Sequence, residues 1–277
     1  MPVDARTKEK ALRFRALSAE SVLLLPNAWD AASAAVIAAA GARAIATTSA
    51  GVAWSLGRGD GHKMSREQMA EAAARVAAAV DLPVTVDAEG GYGPTEEDAA
   101  ATAEAVIAAG AIGLNLEDST AVRGPLFTED EQVARIRAAR EAAAEAGLPE
   151  LVINARTDVY LFRIGAPEDR LGHALDRAAA YAEAGADGIF VPGLLDPDTL
   201  RKIADGCPLP LNVLATPGGP SVAELTRAGA RRISLGAGVA RAAYAAARAA
   251  TLELLNEGTY RALDGSLESA DLNGLFG

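Results

Sequence analysis

The run Val84-Thr-Val-Asp-Ala-Glu-Gly-Gly-Tyr-Gly93 closes an apolar, β-prone stretch with two carboxylates, Asp87 and Glu89. In a strand, residues two apart point to the same face, and the glycines that follow permit a sharp turn and a close backbone approach to a ligand. Similar same-face sets follow: Asn115 with Glu117, and Asn154 with Arg156 and Asp158. If these faces converge, several carboxylates and a guanidinium share one pocket. Acids so gathered repel one another unless a cation sits among them, and all-oxygen donors with retained waters suit Mg²⁺ or Mn²⁺. Arg156 then offers a planar fork to a substrate carboxylate. Taken singly, a strand-end acid is more often a helix cap or a surface residue. Their joint occurrence on successive strands favours a site.

What the chain lacks narrows the chemistry. Its two histidines are His62 and His173, far apart in sequence, which disfavours a zinc centre built on clustered imidazoles. Lys8, Lys10, Lys63 and Lys202 all lie away from the expected strand ends, which argues against a Schiff-base aldolase. There is no Gly-x-Ser-x-Gly elbow. The glycine-rich segments Thr216 to Ser221 and Leu235 to Gly238 keep a phosphate-binding barrel enzyme as a further alternative, weakened by the lack of a basic side chain in either turn.

The elements that must position these groups announce themselves by repetition. Helical, Ala-rich stretches end in Ala-Gly-Ala and lead into short apolar runs at Ala44 to Ser49, Gly113 to Glu117, Gly188 to Val191 and Arg232 to Leu235. A glycine at a helix C-terminus is the usual start of a short αβ turn. Adding Val22 to Pro26, Val84 to Glu89, Leu151 to Asp158 and Pro210 to Ala215 gives eight strand–helix units, which predicts a (β/α)8 TIM-type barrel. A doubly wound open sheet is the alternative. In the barrel, side chains at the C-terminal strand ends carry the chemistry. Asp30 stands where a helix N-cap belongs. Residues 239–277, a long Ala-rich helix and a less regular tail, form a C-terminal helical appendage to the one domain expected over residues 1–277, and are expected to pack on a neighbouring subunit.

With 277 residues, half of them hydrophobic and few aromatic, the chain can bury a core of barrel size. Its formal charge of −11, spread along the sequence, disfavours nucleic acid and anionic membranes as partners. A small metabolite with a metal counter-ion fits better. A single cysteine, Cys207, excludes an internal disulfide and agrees with a reducing, cytoplasmic setting. The charged N-terminus lacks the apolar core of a signal peptide.

Leu56-Gly-Arg-Gly-Asp60, Val86-Asp-Ala-Glu-Gly-Gly-Tyr-Gly93, Leu116-Glu-Asp118, Asn154-Ala-Arg-Thr-Asp158 and Ala182-Glu-Ala-Gly-Ala-Asp187 are the motifs by which the chain resembles the isocitrate lyase and phosphoenolpyruvate mutase superfamily. The resemblance runs from Pro26 to Tyr260. It implies a barrel assembled as a dimer of dimers, a divalent cation, and a small 2-oxo acid or dicarboxylate, or its enolate, as ligand. On the matching positions Asp87 would approach the metal, with Glu89 and Glu117 holding its waters. Thr48, Ser49 and Ala50 would offer backbone amides to the substrate. Asp60, Arg156 and Asn212 would complete the pocket, with Asp60, Glu117 and Arg156 as the catalytic set.

Two departures from the family pattern stand out. Glu89 replaces the more usual Asp. Where the lyases carry a Lys-x-Cys-Gly-His loop, the segment Ser119 to Phe127 has no Lys, Cys or His. The expectation is therefore a lyase or mutase-type enzyme acting through an enolate, and not a true isocitrate lyase. A 2-oxo acid-binding barrel with little or no turnover is the alternative from another class, with Arg123 and Glu129 the ionisable residues nearest the altered loop.

Overall fold

The structure, a computed structural model, describes residues 3–276; Met1, Pro2 and Gly277, the ends of the expected unit 1–277, lie outside the described residues. After helix α1 (Ala5–Glu20), strand and helix alternate: β1 (Leu23–Leu25), β2 (Asn27–Ala28), α2 (Ala31–Ala39), β3 (Ile45–Thr47), α3 (Ser49–Ser55), α4 (Arg66–Ala79), β4 (Val84–Asp87), α5 (Glu96–Ala108), β5 (Gly113–Glu117), α6 (Glu129–Glu145), β6 (Val152–Arg156) and α7 (Arg170–Glu183). Then come β7 (Gly188–Phe190), α8 (Pro197–Gly206), β8 (Leu211–Leu214), α9 (Val222–Arg227), β9 (Ala230–Ser234), α10 (Gly238–Glu257) and α11 (Ser269–Gly274).

All strand pairs are parallel, in the order β1-β9-β8-β7-β6-β5-β4-β3-β2. β1 pairs with β9 and β2 with β3, and only Pro26 separates them. They are two halves of one strand. Proline has no N–H to give the ladder, so the strand breaks there while its carbonyl still accepts from Ala46 N at 3.2 Å. The sheet thus closes on itself as the expected (β/α)8 barrel, with the first strand divided.

The recurrent Ala-Gly-Ala works as its chemistry requires. Gly41, Gly110, Gly185 and Gly229 all take φ between 78° and 99°, where a side chain would be strained. Next in sequence, Ala111 N and Ala186 N reach back to Val106 O and Tyr181 O at 3.2 and 3.0 Å, closing the helix ends. At the opposite ends, Asp30, Ser65, Thr95, Thr128 and Ser221 cap their helices with reciprocal side-chain bonds, so the cap expected at Asp30 is present.

Two local features depart from the pattern in the sequence. The short helix α3 begins directly at Ser49, where periodicity shows only the end of a strand. Its packing needs Gly51, because a Cβ there would come within 2.7 Å of Trp29 Cβ. The second concerns Glu89. Strand pairing ends at Asp87, and Glu89 has φ 48°, so a left-handed turn and not the strand pleat orients it.

That turn is pinned from outside the barrel by Arg135 of α6, which is 1% exposed. Its guanidinium donates to the carbonyls of Gly90 and Gly93, the latter at 2.7 Å, and its centre lies 4.2 Å above the Phe127 ring. Burial pulls its pKa down to about 10. Among the described residues no helix is long and apolar enough to cross a membrane. Arg135→Met should leave two loop carbonyls unpaired and lower stability by about 3 kcal/mol, measured by urea unfolding.

Candidate active site

At the C-terminal ends of the strands lies a cavity of about 170 Å³, lined among others by Thr48, Ser49, Ala50, Asp60, Asp87 and Arg156. Six of the residues singled out by sequence therefore meet at one place. Asp87, last residue of β4, accepts from Ser49 N at 3.2 Å and Ser49 Oγ at 2.8 Å through Oδ2. Its own N–H donates to Thr47 Oγ1 at 2.9 Å. The other oxygen, Oδ1, is buried without a partner.

Arg156, last residue of β6, lies between two carboxylates. Its Nη1 is 2.7 Å from Glu117 Oε2, while Nε and Nη2 donate to the two oxygens of Asp158 at 2.7 and 3.1 Å. Ser119 Oγ lies 2.9 Å from both Glu117 Oε1 and Asp158 Oδ2 and ties the acids together. Burial opposes the charge on Arg156, yet Glu117 and Asp158 outweigh it and raise its pKa. For Glu117 burial works the other way, pushing upward, but Arg156, His62 and Ser119 prevail and its pKa is lowered. In Asp158 burial dominates and lifts the pKa to about 6.

His62 completes this network. Its Nε2 lies 2.6 Å from Glu117 Oε1, and its backbone N–H donates to Glu89 Oε1 at 2.8 Å. The Glu117 hydrogen bond raises the imidazole pKa against the opposing effect of burial. The loop carrying His62 packs on the altered segment after β5: a Cβ on Gly61 would run into Val122. Spacing along the chain hides this residue, because it enters from the loop before α4. Its one sequence signal is that it lies two residues after Asp60 in the recognised motif.

Glu89 and Asp87 end on different sides of the rim. Glu89, 4% exposed, opens on a neighbouring cavity of about 430 Å³ with His62, Tyr92 and Asp98, and burial lifts its pKa to about 7. Its Oε2 also lacks a partner. Asp60 is exposed, leaning over the cavity mouth, where partial desolvation of its carboxyl raises its pKa. Asn212, 1% exposed, is a strut beneath the cavity: it accepts from Asn154 Nδ2 at 3.1 Å and donates to Ser234 Oγ at 3.2 Å. Asp118 likewise serves the frame, accepting from Asp158 N, Arg177 Nη1 and Tyr181 Oη. Arg123 and Glu129 do not line the cavity.

Among the described residues no three His, Cys, Asp or Glu side chains gather as a metal cluster. The fit to a hard cation rests instead on the two unpartnered oxygens, Asp87 Oδ1 and Glu89 Oε2. Mg²⁺ is commonly held by one or two carboxylates, with waters and substrate oxygens filling the remaining positions, and this donor chemistry suits it.

Residues 14–255 match the family described as phosphoenolpyruvate phosphomutase. The chain is 32% identical over 210 residues to the 2-methylisocitrate lyase of Escherichia coli K12, spanning 73% of this chain and 68% of that protein. To the oxaloacetate decarboxylase of Pseudomonas paraeruginosa it is 36% identical over 199 residues, 69% of this chain and 64% of that protein. Among solved structures, a candidate phosphonomutase of Burkholderia cenocepacia J2315 aligns with TM-score 0.82 at 48% identity, covering 87% of this chain and 98% of that one.

The ion-pair geometry has a direct consequence for stability. Asp158→Ala should cost about 3 kcal/mol by unbalancing the buried Arg156, whereas Asp60→Asn at the exposed rim should change stability by less than about 0.5 kcal/mol, both read from urea unfolding.

Proposed function

The chain belongs to the phosphoenolpyruvate phosphomutase family and is a lyase- or mutase-type enzyme, and from that premise we propose that it breaks a carbon–carbon or carbon–phosphorus bond of a small 2-oxo acid through an enolate, with Mg²⁺ or Mn²⁺. The observation that carries this reading is the unpartnered, buried Asp87 Oδ1 beside Arg156 at the cavity wall. Asp87 would hold the cation directly, while Glu89, from the neighbouring side of the rim, and Glu117, fixed at both oxygens by His62 and Arg156, would orient its waters. When bound, the cation supplies charge stabilisation for an oxygen that becomes negative as the bond β to the keto carbon breaks.

The remaining work falls to the chain. Arg156, already oriented by Asp158, presents its cationic face to a substrate carboxylate and fixes the acid in register. The first-turn amide of α3 at Ala50 donates to the developing oxyanion, while the Ser49 N–H stays with Asp87 and holds that carboxylate in place. Asp60 at the mouth closes the pocket over the substrate. Asn212 acts through Asn154 and Ser234, holding the strands that carry Arg156 and the pocket floor.

The C-terminal appendage fits an assembly of four chains, because α10 and the following segment expose Leu252, Leu254, Leu255, Tyr260, Leu263 and Leu267. Sedimentation should give a tetramer; a monomer would refute this. The same reading places the protein in the cytoplasm with a small metabolite as ligand.

Three outcomes test the reaction. Incubation with a panel of 2-oxo acids and Mg²⁺ should give product by NMR, and chelation should abolish turnover until Mg²⁺ or Mn²⁺ is returned. Ligand-induced stabilisation without product would instead favour a binding protein. Asp87→Ala should lose Mg²⁺-dependent ligand binding, and unchanged binding in that variant would overturn the reading.

A further inference from the structure

Arg232 has no part in the chemistry described so far, yet it lines the same cavity as Asp87 and Arg156. It is the second residue of an Arg231-Arg232 pair on β9. Arg231 faces outward and is exposed, while Arg232 faces inward and is 8% exposed. Among the described residues it makes no ion pair. Its Nη2 donates to Asn115 Oδ1 at 3.3 Å, an acceptor already bound by Asn154 Nδ2 at 2.8 Å, and its Nε has no partner.

A buried guanidinium served by one long, shared, neutral contact is unfavourable unless an anion accompanies it. Burial accordingly pulls its pKa down to about 10, and Asp87 opposes that only in part. Packing alone does not call for a charge here. The neighbouring inward positions, Asn115, Asn154, Asn212 and Ser234, are neutral groups that satisfy one another. Arg156 stands on β6 and Arg232 on β9, with β7 and β8 between them in the ring, so the two guanidinia approach the cavity from separated positions on its wall.

We propose that Arg232 is a second anion receptor of the pocket, binding the carboxylate or phosphonate of the substrate that Arg156 does not hold. The inference rests on this cavity being the substrate site. It makes Arg232 the residue that selects an acid with two anionic groups over one with a single carboxylate. A guanidinium suits this role because its fork reaches two oxygens at once.

The test is calorimetric titration of the full-length protein, in Mg²⁺, with malate and with lactate, which differ by one carboxylate. Wild type should bind malate more tightly by about 30-fold, the size of one charge-assisted contact. Arg232→Met should bring malate down to the lactate level and leave lactate affinity unchanged. Its melting temperature without ligand should be equal to or above that of wild type, since an unpaired buried charge is lost. Arg232→Lys keeps the charge but not the fork and should lose most of the malate preference.

Equal weakening of both acids in Arg232→Met, with a lower melting temperature, would make Arg232 a structural strut and overturn the proposal. An unchanged malate-to-lactate ratio in Arg232→Lys would overturn it even if the Met variant fails to fold. Wild type that binds both acids equally would overturn the proposal and leave the enolate reading standing. Wild type that binds neither would remove both.

Discussion

A single guanidinium clamped by two carboxylates at the top of the barrel governs the arrangement of the site. Arg156 links the end of β5, through Glu117, to the segment after β6, through Asp158. Ser119 and His62 extend that clamp to the loops after β5 and before α4. Buried ion pairs contribute little net stability after desolvation, but they fix geometry strongly, because any displacement leaves a charge uncompensated. The strand ends are held in one register by this constraint, and the reactive groups inherit their positions from it.

Around the clamp the charges are deliberately uneven. Glu117 and Asp158 are spoken for by Arg156, and Asp118 by Arg177 and Tyr181. Asp87 and Glu89 each keep one oxygen without a partner, and Arg232 keeps an Nε without one. Acids and bases that satisfy each other make the frame; those left over face the cavities. Such a division separates residues that hold the site from residues able to bind something brought to it.

Much of this was legible in the chain. The Ala-Gly-Ala recurrences give the strand–helix units because a positive φ after a helix is nearly a glycine property, and the family motifs place Asp60, Asp87 and Arg156 at one cavity. What escapes the pattern is set by long-range contact. Glu89 follows a left-handed turn stabilised by Arg135 from a helix more than forty residues on, so the period-two reading fails there. His62 comes from a neighbouring loop whose fold depends on Val122. Arg232 sits in a dibasic pair that resembles solvated surface, although alternation along the rest of β9 puts it on the same face as Ser234, which was a usable signal. The division of the first strand needed only Pro26 to be weighed against the ladder.

That divided strand has a bearing on how the molecule comes into being. β1 finds its partner in β9, so Leu23 and Leu25 meet Arg232 and Ser234 across almost the whole length of the chain. During synthesis from the N-terminus, these leucines emerge long before the segment that will shelter them. Contacts so distant in sequence are slow to form, because the entropy of a very large loop must be overcome first. Until the last strand arrives the ring is an open sheet with two unpaired edges, the form most exposed to sticking to other chains. Ring closure therefore cannot precede the synthesis of β9, and until then the two sheet edges lack their partners.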